Sequence, residues 1–379
     1  MKEDSSLRVL FLSQEDTIKA GVLNMKECIR AVEESFKLLA SGDCIAGGPD
    51  EHDHGIRIWF PNKPRGKNMP ISGPDRRFMA MIGYLGGRFN ICGTKWYGSN
   101  RKNKEERGLP RSILLIILND PITGAPLSIM DGTLISAMRT GAVPGIAAKY
   151  LSKKDSKTLT IIGAGIINRT CFMSLLSVLK NIEEVKIFDI VDKNSSNLCN
   201  YIKENYSIEK VYKVDSIENA LINSDVISVA ASGEHLPFIK NNCLKNESCL
   251  LLSGGIQPNE NLYLDSNIII DDWKMHYRWV YENKGRKKIE PLDSSYDDIP
   301  AITLNKLLKE KKLKKRDIVN IYDIIKNKTL LNNFRHRKNI FISGGIPMED
   351  LSWSHKIYQN ALNKKIGKEL VLWEKPYFI

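Results

Sequence analysis

The stretch Leu159-Thr-Ile-Ile-Gly163-Ala-Gly165-Ile-Ile-Asn168 decides the fold of this chain. An apolar run passes through two glycines directly into a helical pattern, which predicts a strand, a turn and a helix in that order. Gly163 allows the tight turn. Gly165 lets the backbone approach a pyrophosphate, which the helix N-terminus would hold through its free N–H groups. Asn168 replaces the third glycine of the usual G-x-G-x-x-G pattern, so the bare motif also fits a strand–helix turn that binds no ligand.

The surroundings of this turn favour a dinucleotide site. Asp189 follows the next predicted strand, roughly 20 residues beyond the glycines, where a carboxylate accepts hydrogen bonds from ribose hydroxyls. Because that carboxylate would repel a 2′-phosphate and no arginine follows it closely, NAD is favoured over NADP. Small residues also end two later strands, where they leave room for a cofactor, although ordinary turns explain them equally well. The predicted cofactor-binding residues are Gly163, Gly165, Ile166, Ile167, Asp189, Ala231, Ser232 and Gly254.

Apolar strands and helical segments alternate through the second half of the chain. The predicted strands are Thr158–Ile162, Val185–Phe188, Val226–Ala230, Cys249–Leu252 and Asn267–Ile270. This alternation predicts the α/β class, with a parallel, doubly wound Rossmann sheet.

The first third of the chain has a different pattern. A helix is predicted over Asn24–Ala40, ahead of extended segments that turns rich in Gly, Pro, Asn and Asp separate. Those segments are Ile56–Phe60, Arg77–Tyr84, Asn90–Trp96, Ser112–Leu118 and Ala125–Met130. They predict an α+β domain with a mostly antiparallel sheet, and the helical tail Glu349–Ile366 is expected to pack back onto it. We therefore predict one domain from residues 1–132 and 345–379, and an NAD-binding domain from 133–344.

Composition excludes several classes of protein. A length of 379 residues suits two domains, and 42% hydrophobic with 26% charged residues is ordinary for a globular protein. The charge of +12 is spread widely, which suits anionic ligands and gives no reason to expect nucleic acid. No long apolar run or signal-peptide pattern is present, so we expect a cytoplasmic protein without a membrane partner. Seven scattered cysteines without a Cys-x-x-Cys pair predict reduced thiols and no zinc site. Glu51-His52-Asp53-His54 lacks a second ligand set, so we expect a polar loop and no metal.

Further motifs occur in the order in which one known family carries them. They are Gly93-Thr-Lys95-Trp-Tyr-Gly-Ser-Asn100, Ile117-Leu-Asn-Asp120-Pro-x-Thr-Gly-Ala-Pro-Leu, Ser136-Ala-Met-Arg139-Thr140-Gly-Ala142, Ala147-Ala-Lys149-Tyr-Leu151 and Ser343-Gly-Gly345-Ile-Pro-Met-Glu349-Asp350. With the glycine turn they cover nearly the whole chain, which resembles the ornithine cyclodeaminase/μ-crystallin family. Asp75-Arg-Arg77-Phe-Met-Ala-Met81 and Ile270-Asp-Asp-Trp273 look closest to two of its branches. These are the siderophore-pathway dehydrogenase of N-(2-amino-2-carboxyethyl)-L-glutamate and a branch associated with tyramine oxidase as its second component.

The resemblance implies a substrate-binding and dimerisation domain, a Rossmann domain, a homodimer and a small amino-acid substrate. It also implies that Lys95 and Arg139 face the substrate and that Thr140 reaches the cofactor. An arginine fork binds a carboxylate bidentately, and a desolvated lysine can act as acid or base at a C–N bond. The family's further arginine aligns best with Arg77, and Arg57 is the alternative.

One departure from the family bears on the reaction. True cyclodeaminases carry an aspartate after the Gly-Gly pair that follows the fifth Rossmann strand, whereas this chain has Ile256 after Gly254-Gly255. Cyclisation of ornithine with loss of ammonia is therefore disfavoured. We expect an NAD-dependent amino-acid or opine-type dehydrogenase, or an imine reductase in the reverse direction. The alternatives are an ammonia lyase that recycles its NAD and an NAD(H)-binding accessory or crystallin-like protein without turnover. His276 is expected to be structural, with proton transfer as its alternative role, and residues 61–76 have no assigned role.

Overall fold

A computed structural model describes residues 6–233, 235–284, 300–334 and 336–378. The strands, numbered in chain order, are β1 (Leu7–Leu12), β2 (Cys44–Ala46), β3 (Ile56–Trp59), β4 (Arg77–Leu85), β5 (Ile91–Ser99), β6 (Ser112–Asn119), β7 (Pro126–Asp131), β8 (Thr158–Ile162), β9 (Glu184–Phe188), β10 (Lys210–Lys213), β11 (Val226–Val229), β12 (Cys249–Leu252), β13 (Ser266–Ile270), β14 (Ile318–Asn320), β15 (Lys338–Ile342) and β16 (Lys368–Trp373). The helices are α1 (Gln14–Lys19), α2 (Met25–Ser41), α3 (Asn103–Arg107), α4 (Thr133–Leu151), α5 (Ile166–Val178), α6 (Asp192–Asn205), α7 (Ile217–Leu221), α8 (Glu260–Leu264), α9 (Trp273–Lys284), α10 (Pro300–Lys309), α11 (Ile321–Lys326) and α12 (Pro347–Lys364).

The chain divides into two compact units. The first contains the described residues up to Arg139 and those from Ile346 onward, and the second contains the described residues from Thr140 to Gly345. The helix α4 therefore begins in the first unit and ends in the second.

The first unit is built on one sheet with strand order β16-β1-β7-β6-β5-β4-β2, and β3 also pairs with β4. All neighbours run antiparallel except β1 and β7. The helix α2 begins where the Asn24 side chain accepts from the N–H of Glu27, and it ends at Gly42 in the left-handed region. It presents Cys28, Val32 and other buried residues to the core, and α12 packs against it and against β4 and β5. The predicted antiparallel sheet is confirmed. The strands β1, β2 and β16 were not expected from the sequence.

The two faces of this sheet differ. Successive strand residues point to opposite faces, and the pairing of Lys95 with Met81 and Ile116 places these three side chains together on the buried face. The opposite face is exposed although it is apolar, and we call it the apolar face. The strand registers assign to it Phe11, Ile45, Ile56, Ile58, Phe78, Ile82, Trp96, Ile113, Leu115 and Leu370, all of them exposed.

The second unit is a parallel sheet in the order β10-β9-β8-β11-β12-β15-β13-β14. Every neighbouring pair runs parallel, and the first six strands follow the Rossmann order 3-2-1-4-5-6. Strands β8, β11 and β12 are buried along their whole length, as expected when helices cover both faces. The predicted doubly wound sheet is confirmed.

Glycines let α4 lie close to α5 within this unit. A Cβ at Gly141 would come within 2.5 Å of Thr170, and one at Gly145 within 2.7 Å of Ser174. Nothing larger than glycine fits at these two positions without moving one helix. In the described ranges, no helix combines the length and apolarity that crossing a membrane requires.

Candidate functional site

Four charged side chains meet in the interior of the first unit. Lys95 Nζ donates to Asp350 Oδ2 at 2.8 Å, and Arg139 Nε donates to the other oxygen, Oδ1, at 2.9 Å. Arg139 Nη1 donates to Glu349 Oε2 at 2.5 Å. All four residues are buried, and Lys95 is only 4% exposed. We call Lys95, Arg139, Glu349 and Asp350 the buried ion quartet.

Three separate parts of the chain supply the buried ion quartet. Lys95 points inward because it lies on the buried side of β5, and Arg139 comes from α4. Glu349 and Asp350 lie in the first turn of α12, just after Pro347, where the positive end of the helix dipole favours carboxylates. Two cations and two anions give the quartet no formal net charge, which allows it to be buried.

The surroundings shift both basic groups. Burial and the neighbouring Arg139 lower the pKa of Lys95 from 10.5 to about 8, although Asp350 acts to raise it. Burial alone would lower the pKa of Arg139, but Asp350 and Glu349 raise it, so the guanidinium stays charged. A lysine with a pKa of about 8 can accept or donate a proton near neutral pH, beside a permanent positive charge. This combination can bind a carboxylate and move a proton at a nearby nitrogen.

The partners of Arg139 limit how it can bind a ligand. Its Nε and Nη1 atoms are bonded to Asp350 and Glu349, so the fork that was expected to hold a substrate is occupied by side chains of the protein. In the described part of the chain, the third nitrogen, Nη2, donates to no other residue.

The two further arginines predicted from the sequence lie on the same sheet face as Lys95. Arg77 Nη1 lies 3.0 Å from Asp75 Oδ1, and Arg77 Nη2 donates to the Tyr97 hydroxyl at 2.7 Å. Its guanidinium also lies over the Trp59 ring, 5.2 Å from the centroid. Arg57 Nε lies 3.2 Å from the sulfur of Met79. These contacts hold both arginines among neighbours that are not members of the buried ion quartet.

The glycine turn of the second unit has the features that a dinucleotide requires. Gly163 has a φ of +86°, and a Cβ there would lie 2.8 Å from the Ala230 carbonyl oxygen. A Cβ at Gly165 would meet no described heavy atom within 4 Å, so the surface in front of α5 is open. Within the described chain no side chain caps α5, so its first N–H groups, at the exposed Ile166 and at Ile167, remain available to an anion.

Asp189 stands at the end of β9 beside this turn. Its Oδ2 accepts from the N–H of Ala164 at 2.6 Å, and its Oδ1 accepts from the N–H of Val191 at 2.8 Å. The carboxylate is therefore held in place next to the glycine turn, and it retains lone pairs for hydroxyl donors.

The remaining predicted cofactor residues lie on this unit as well. Ala231 and Ser232 follow β11, and Gly254 follows β12, so they end adjacent parallel strands. A Cβ at Gly254 would come within 2.6 Å of the Ala231 carbonyl oxygen, so only glycine fits there. Thr140 precedes Gly141, the residue whose backbone lies against Thr170 of α5.

A buried aspartate organises the turn after β15. Asp271 Oδ2 accepts from the N–H groups of Gly344 at 2.6 Å and Gly345 at 2.9 Å, while Oδ1 lies 2.7 Å from His276 Nε2. Burial alone would raise the pKa of Asp271, but His276 and the two glycine N–H groups lower it. His276 is itself buried. This arrangement gives His276 the structural role that the sequence favoured, as a partner of Asp271.

We predict that Asp271→Asn lowers the free energy of unfolding by about 3 kcal/mol, because the amide would set an N–H₂ group against buried N–H donors. Urea denaturation followed by circular dichroism measures the loss. The exposed Asp265, which accepts from Asn241 in the same unit, provides the control variant Asp265→Asn. Equal denaturation midpoints for the two variants would contradict the prediction.

Sequence reasoning assigned no role to the two acidic members of the buried ion quartet. Glu349 and Asp350 were noted only as part of a motif, and they lie 210 and 255 residues from the partners they bond. The one local signal was a pair of adjacent carboxylates at the start of an otherwise apolar helix, where a buried face needs buried cations. Among the described residues, no group of three or more His, Cys, Asp or Glu side chains is placed to hold a metal ion.

Comparison with known proteins agrees with this architecture. Residues 10–365 match the model of the ornithine cyclodeaminase/mu-crystallin family. The chain is 26% identical to the N-((2S)-2-amino-2-carboxyethyl)-L-glutamate dehydrogenase of Staphylococcus aureus, over 96% of this chain and 99% of that protein. The Delta(1)-pyrroline-2-carboxylate reductase of Thermococcus litoralis, solved with NADH and L-proline, superposes with a TM-score of 0.74 at 26% identity, over 95% of this chain and 99% of that one. An archaeal alanine dehydrogenase dimer with bound NAD gives a TM-score of 0.75 at 24% identity, over 97% and 100%. The chain belongs to the ornithine cyclodeaminase/mu-crystallin family.

Proposed function

We propose that the protein is an NAD-dependent oxidoreductase that acts on the C–N bond of an amino acid or of an N-substituted, opine-like amino acid. The observation that carries this proposal is the buried Lys95, with a pKa of about 8, which shares Asp350 with Arg139. The names of the similar proteins support it, since they describe two amino-acid dehydrogenases and a reductase.

We assign NAD binding to the second unit and substrate binding to the first. The open surface at Gly165, the uncapped start of α5 and the fixed carboxylate of Asp189 fit a pyrophosphate and an adenosine ribose. When bound, NAD supplies a hydride acceptor for the α-carbon of the substrate. The residues that would hold it are Thr140, Gly163, Gly165, Ile166, Ile167, Asp189, Ala231, Ser232 and Gly254.

Within the first unit, Arg139 provides a permanent positive charge for the substrate carboxylate through Nη2, and Arg77 or Arg57 provides a second one. Lys95 in its neutral form accepts the proton that leaves the substrate nitrogen as the α-carbon loses its hydride. The products of this step are an imine, the reduced cofactor and protonated Lys95. Water then cleaves the imine to a keto acid and an amine. In the reverse direction, protonated Lys95 donates to the imine nitrogen as the carbon receives hydride.

A buried isoleucine argues against the lyase alternative. Ile256 is 2% exposed and belongs to the apolar core of the second unit, so the position where the resemblance expects a proton-handling aspartate has no titratable group. This favours net oxidation or reduction over loss of ammonia with recycled NAD.

The test is the absorbance of NADH at 340 nm with purified protein, NAD and a panel of amino acids. The panel includes alanine, proline and N-(2-amino-2-carboxyethyl)-L-glutamate. Formation of NADH equal to the substrate consumed would support the proposal and identify the substrate class. Ammonia release without net NADH would overturn it in favour of the lyase, and NADH binding without turnover on any substrate would overturn it in favour of a binding protein.

We also propose that the protein is a homodimer that pairs through the apolar face. Ten large apolar side chains on one face of one sheet form an exposed patch larger than isolated proteins usually tolerate. Phe78 and Trp96 stack at 5.8 Å near its centre. The solved archaeal alanine dehydrogenase of the same fold is a dimer.

We predict that Trp96→Glu converts the dimer to a monomer, because a carboxylate in the middle of a dry interface is costly to bury. Sedimentation velocity measures the change, from about twice the chain mass to the chain mass of 43.0 kDa. Ile122→Glu is the matched control, since Ile122 is 87% exposed in the turn between β6 and β7. A wild-type monomer, or a dimer that persists in the Trp96 variant, would refute the proposed pairing.

A further inference from the structure

The third position of the glycine pattern holds a buried polar side chain. A glycine there normally allows close packing of helix and strand. Asn168 is instead fully buried at the first turn of α5. A buried amide is costly unless its donors and acceptor are bonded, so its partners indicate what it does.

The Asn168 amide joins two strand ends and the turn. Its Nδ2 donates to the carbonyl oxygens of Ile162 at 2.8 Å and Gly163 at 2.6 Å. Its Oδ1 accepts from the hydroxyl of Ser228, a buried residue of β11, at 2.7 Å. Carbonyl oxygens only accept, so these contacts also fix which end of the amide is nitrogen.

The bond to Gly163 sets the orientation of one peptide. In a planar trans peptide, the C=O of one residue and the N–H of the next point in opposite directions. Because the Gly163 carbonyl is held inward by Asn168, the N–H of Ala164 must point outward. It donates there to Asp189 Oδ2 at 2.6 Å. Gly163 has a φ of +86° and no side chain, so little else restrains this peptide from rotating.

From this geometry we propose that Asn168 is a positioning residue for the adenosine half of the dinucleotide. It acts through the Gly163–Ala164 peptide, which holds the Asp189 carboxylate at the ribose position, and Ser228 orients the amide. The inference rests on the proposed binding of NAD in the second unit. It gives Asn168 a function that the glycine of the usual pattern cannot provide, since glycine has no side chain to bond the turn.

The test is the affinity of the full-length protein for three probes, measured by fluorescence or calorimetric titration. The probes are NADH, ADP-ribose and reduced nicotinamide mononucleotide, which lacks the adenosine ribose. We expect Asn168→Ala to weaken NADH and ADP-ribose about tenfold each, the effect of losing a well-placed hydrogen bond, and to leave reduced nicotinamide mononucleotide unchanged. Ser228→Ala should weaken the same two probes about threefold. Asn205→Ala is the matched control, since the Asn205 amide bonds only a helical carbonyl, that of Tyr201, at the surface of the same unit.

The outcomes separate this inference from the function on which it rests. Failure of the wild-type protein to bind NADH would reject the proposed function itself. With a wild-type protein that binds, NADH affinity within twofold of wild type in folded Asn168→Ala would overturn the positioning role. Equal weakening of all three probes would also overturn it, since that pattern means general loosening of the unit. If Asn168→Ala fails to fold, Ser228→Ala decides by the same two criteria.

Discussion

Lys95→Met is expected to lower turnover by about 10³-fold while leaving the affinity for NADH unchanged. The loss follows from removing the group that exchanges a proton with the substrate nitrogen, a contribution that is typically about 10²–10⁴-fold in rate. Affinity for NADH should persist because the residues proposed to hold the dinucleotide belong to the second unit, whereas Lys95 belongs to the first. Methionine has a similar length and fills the space that the lysine stem occupies, so packing around Met81 and Ile116 should survive.

The measurements are steady-state rates on the substrate that the amino-acid panel identifies, together with titration of NADH fluorescence. The chain offers a second buried lysine as the matched control. Lys186 is 8% exposed, lies on β9 and donates to the Ile222 carbonyl at 2.7 Å. Lys186→Met should retain most of the turnover. Wild-type rates in Lys95→Met would remove Lys95 from the proposed chemistry, and lost NADH binding would indicate damage beyond the site.

Asp350→Asn should cost about 3–5 kcal/mol of unfolding free energy, because it removes the carboxylate that Lys95 and Arg139 share. Burial and Arg139 lower the pKa of Lys95, and Asp350 opposes them. Without that carboxylate the pKa of Lys95 should fall below the wild-type value of about 8.

The pH dependence of this variant has a definite sign. In the wild type, kcat/KM for amine oxidation should rise with pH through about 8 as Lys95 becomes neutral. In Asp350→Asn the rise should occur at lower pH. Because a neutral lysine no longer needs the carboxylate, the stability deficit of the variant should also shrink as pH rises through the pKa of Lys95.

Rates and urea denaturation measured from pH 6 to 10 check both parts. Glu349→Gln is the natural comparison, since Glu349 has the smallest of the effects described on Lys95 and bonds only Arg139 within the buried ion quartet. An inflection that stays near pH 8 in Asp350→Asn would mean that another group titrates in the wild-type profile.

Local pattern was sufficient for the elements that carry strong periodicity. The apolar run before Gly163, the alternation along β4 and β5 and the amphipathic α2 each encode their own structure over a few residues, and the structure has them close to the predicted bounds. Lys95 and Arg139 were singled out through resemblance to a family, because a lone lysine in a strand has no local signature of function.

The unpredicted parts depend on contacts between distant segments. Nothing near Lys95 in the sequence indicates Asp350, since the helix that carries it returns to the sheet only after the whole second unit. The strand β16 is defined by pairing with β1, at the opposite end of the chain, and its six residues are exposed on both faces. The network around Asn168 was likewise hidden, because a replaced glycine looks like a weakened motif until its hydrogen-bond partners are known.

The interrupted course of the first unit constrains the order of events during synthesis on the ribosome. Every described element of the Rossmann unit, up to β15, leaves the ribosome before α12 does. Until then Lys95 and Arg139 are without the carboxylates that neutralise them, and the β1 edge lacks β16. The nascent first unit must therefore wait in a partly open form while its neighbour completes its own core, a period in which exposed strands can associate with other chains. Slow translation or chaperone capture between residues 140 and 345 would thus affect the yield of the unit that has already been synthesised.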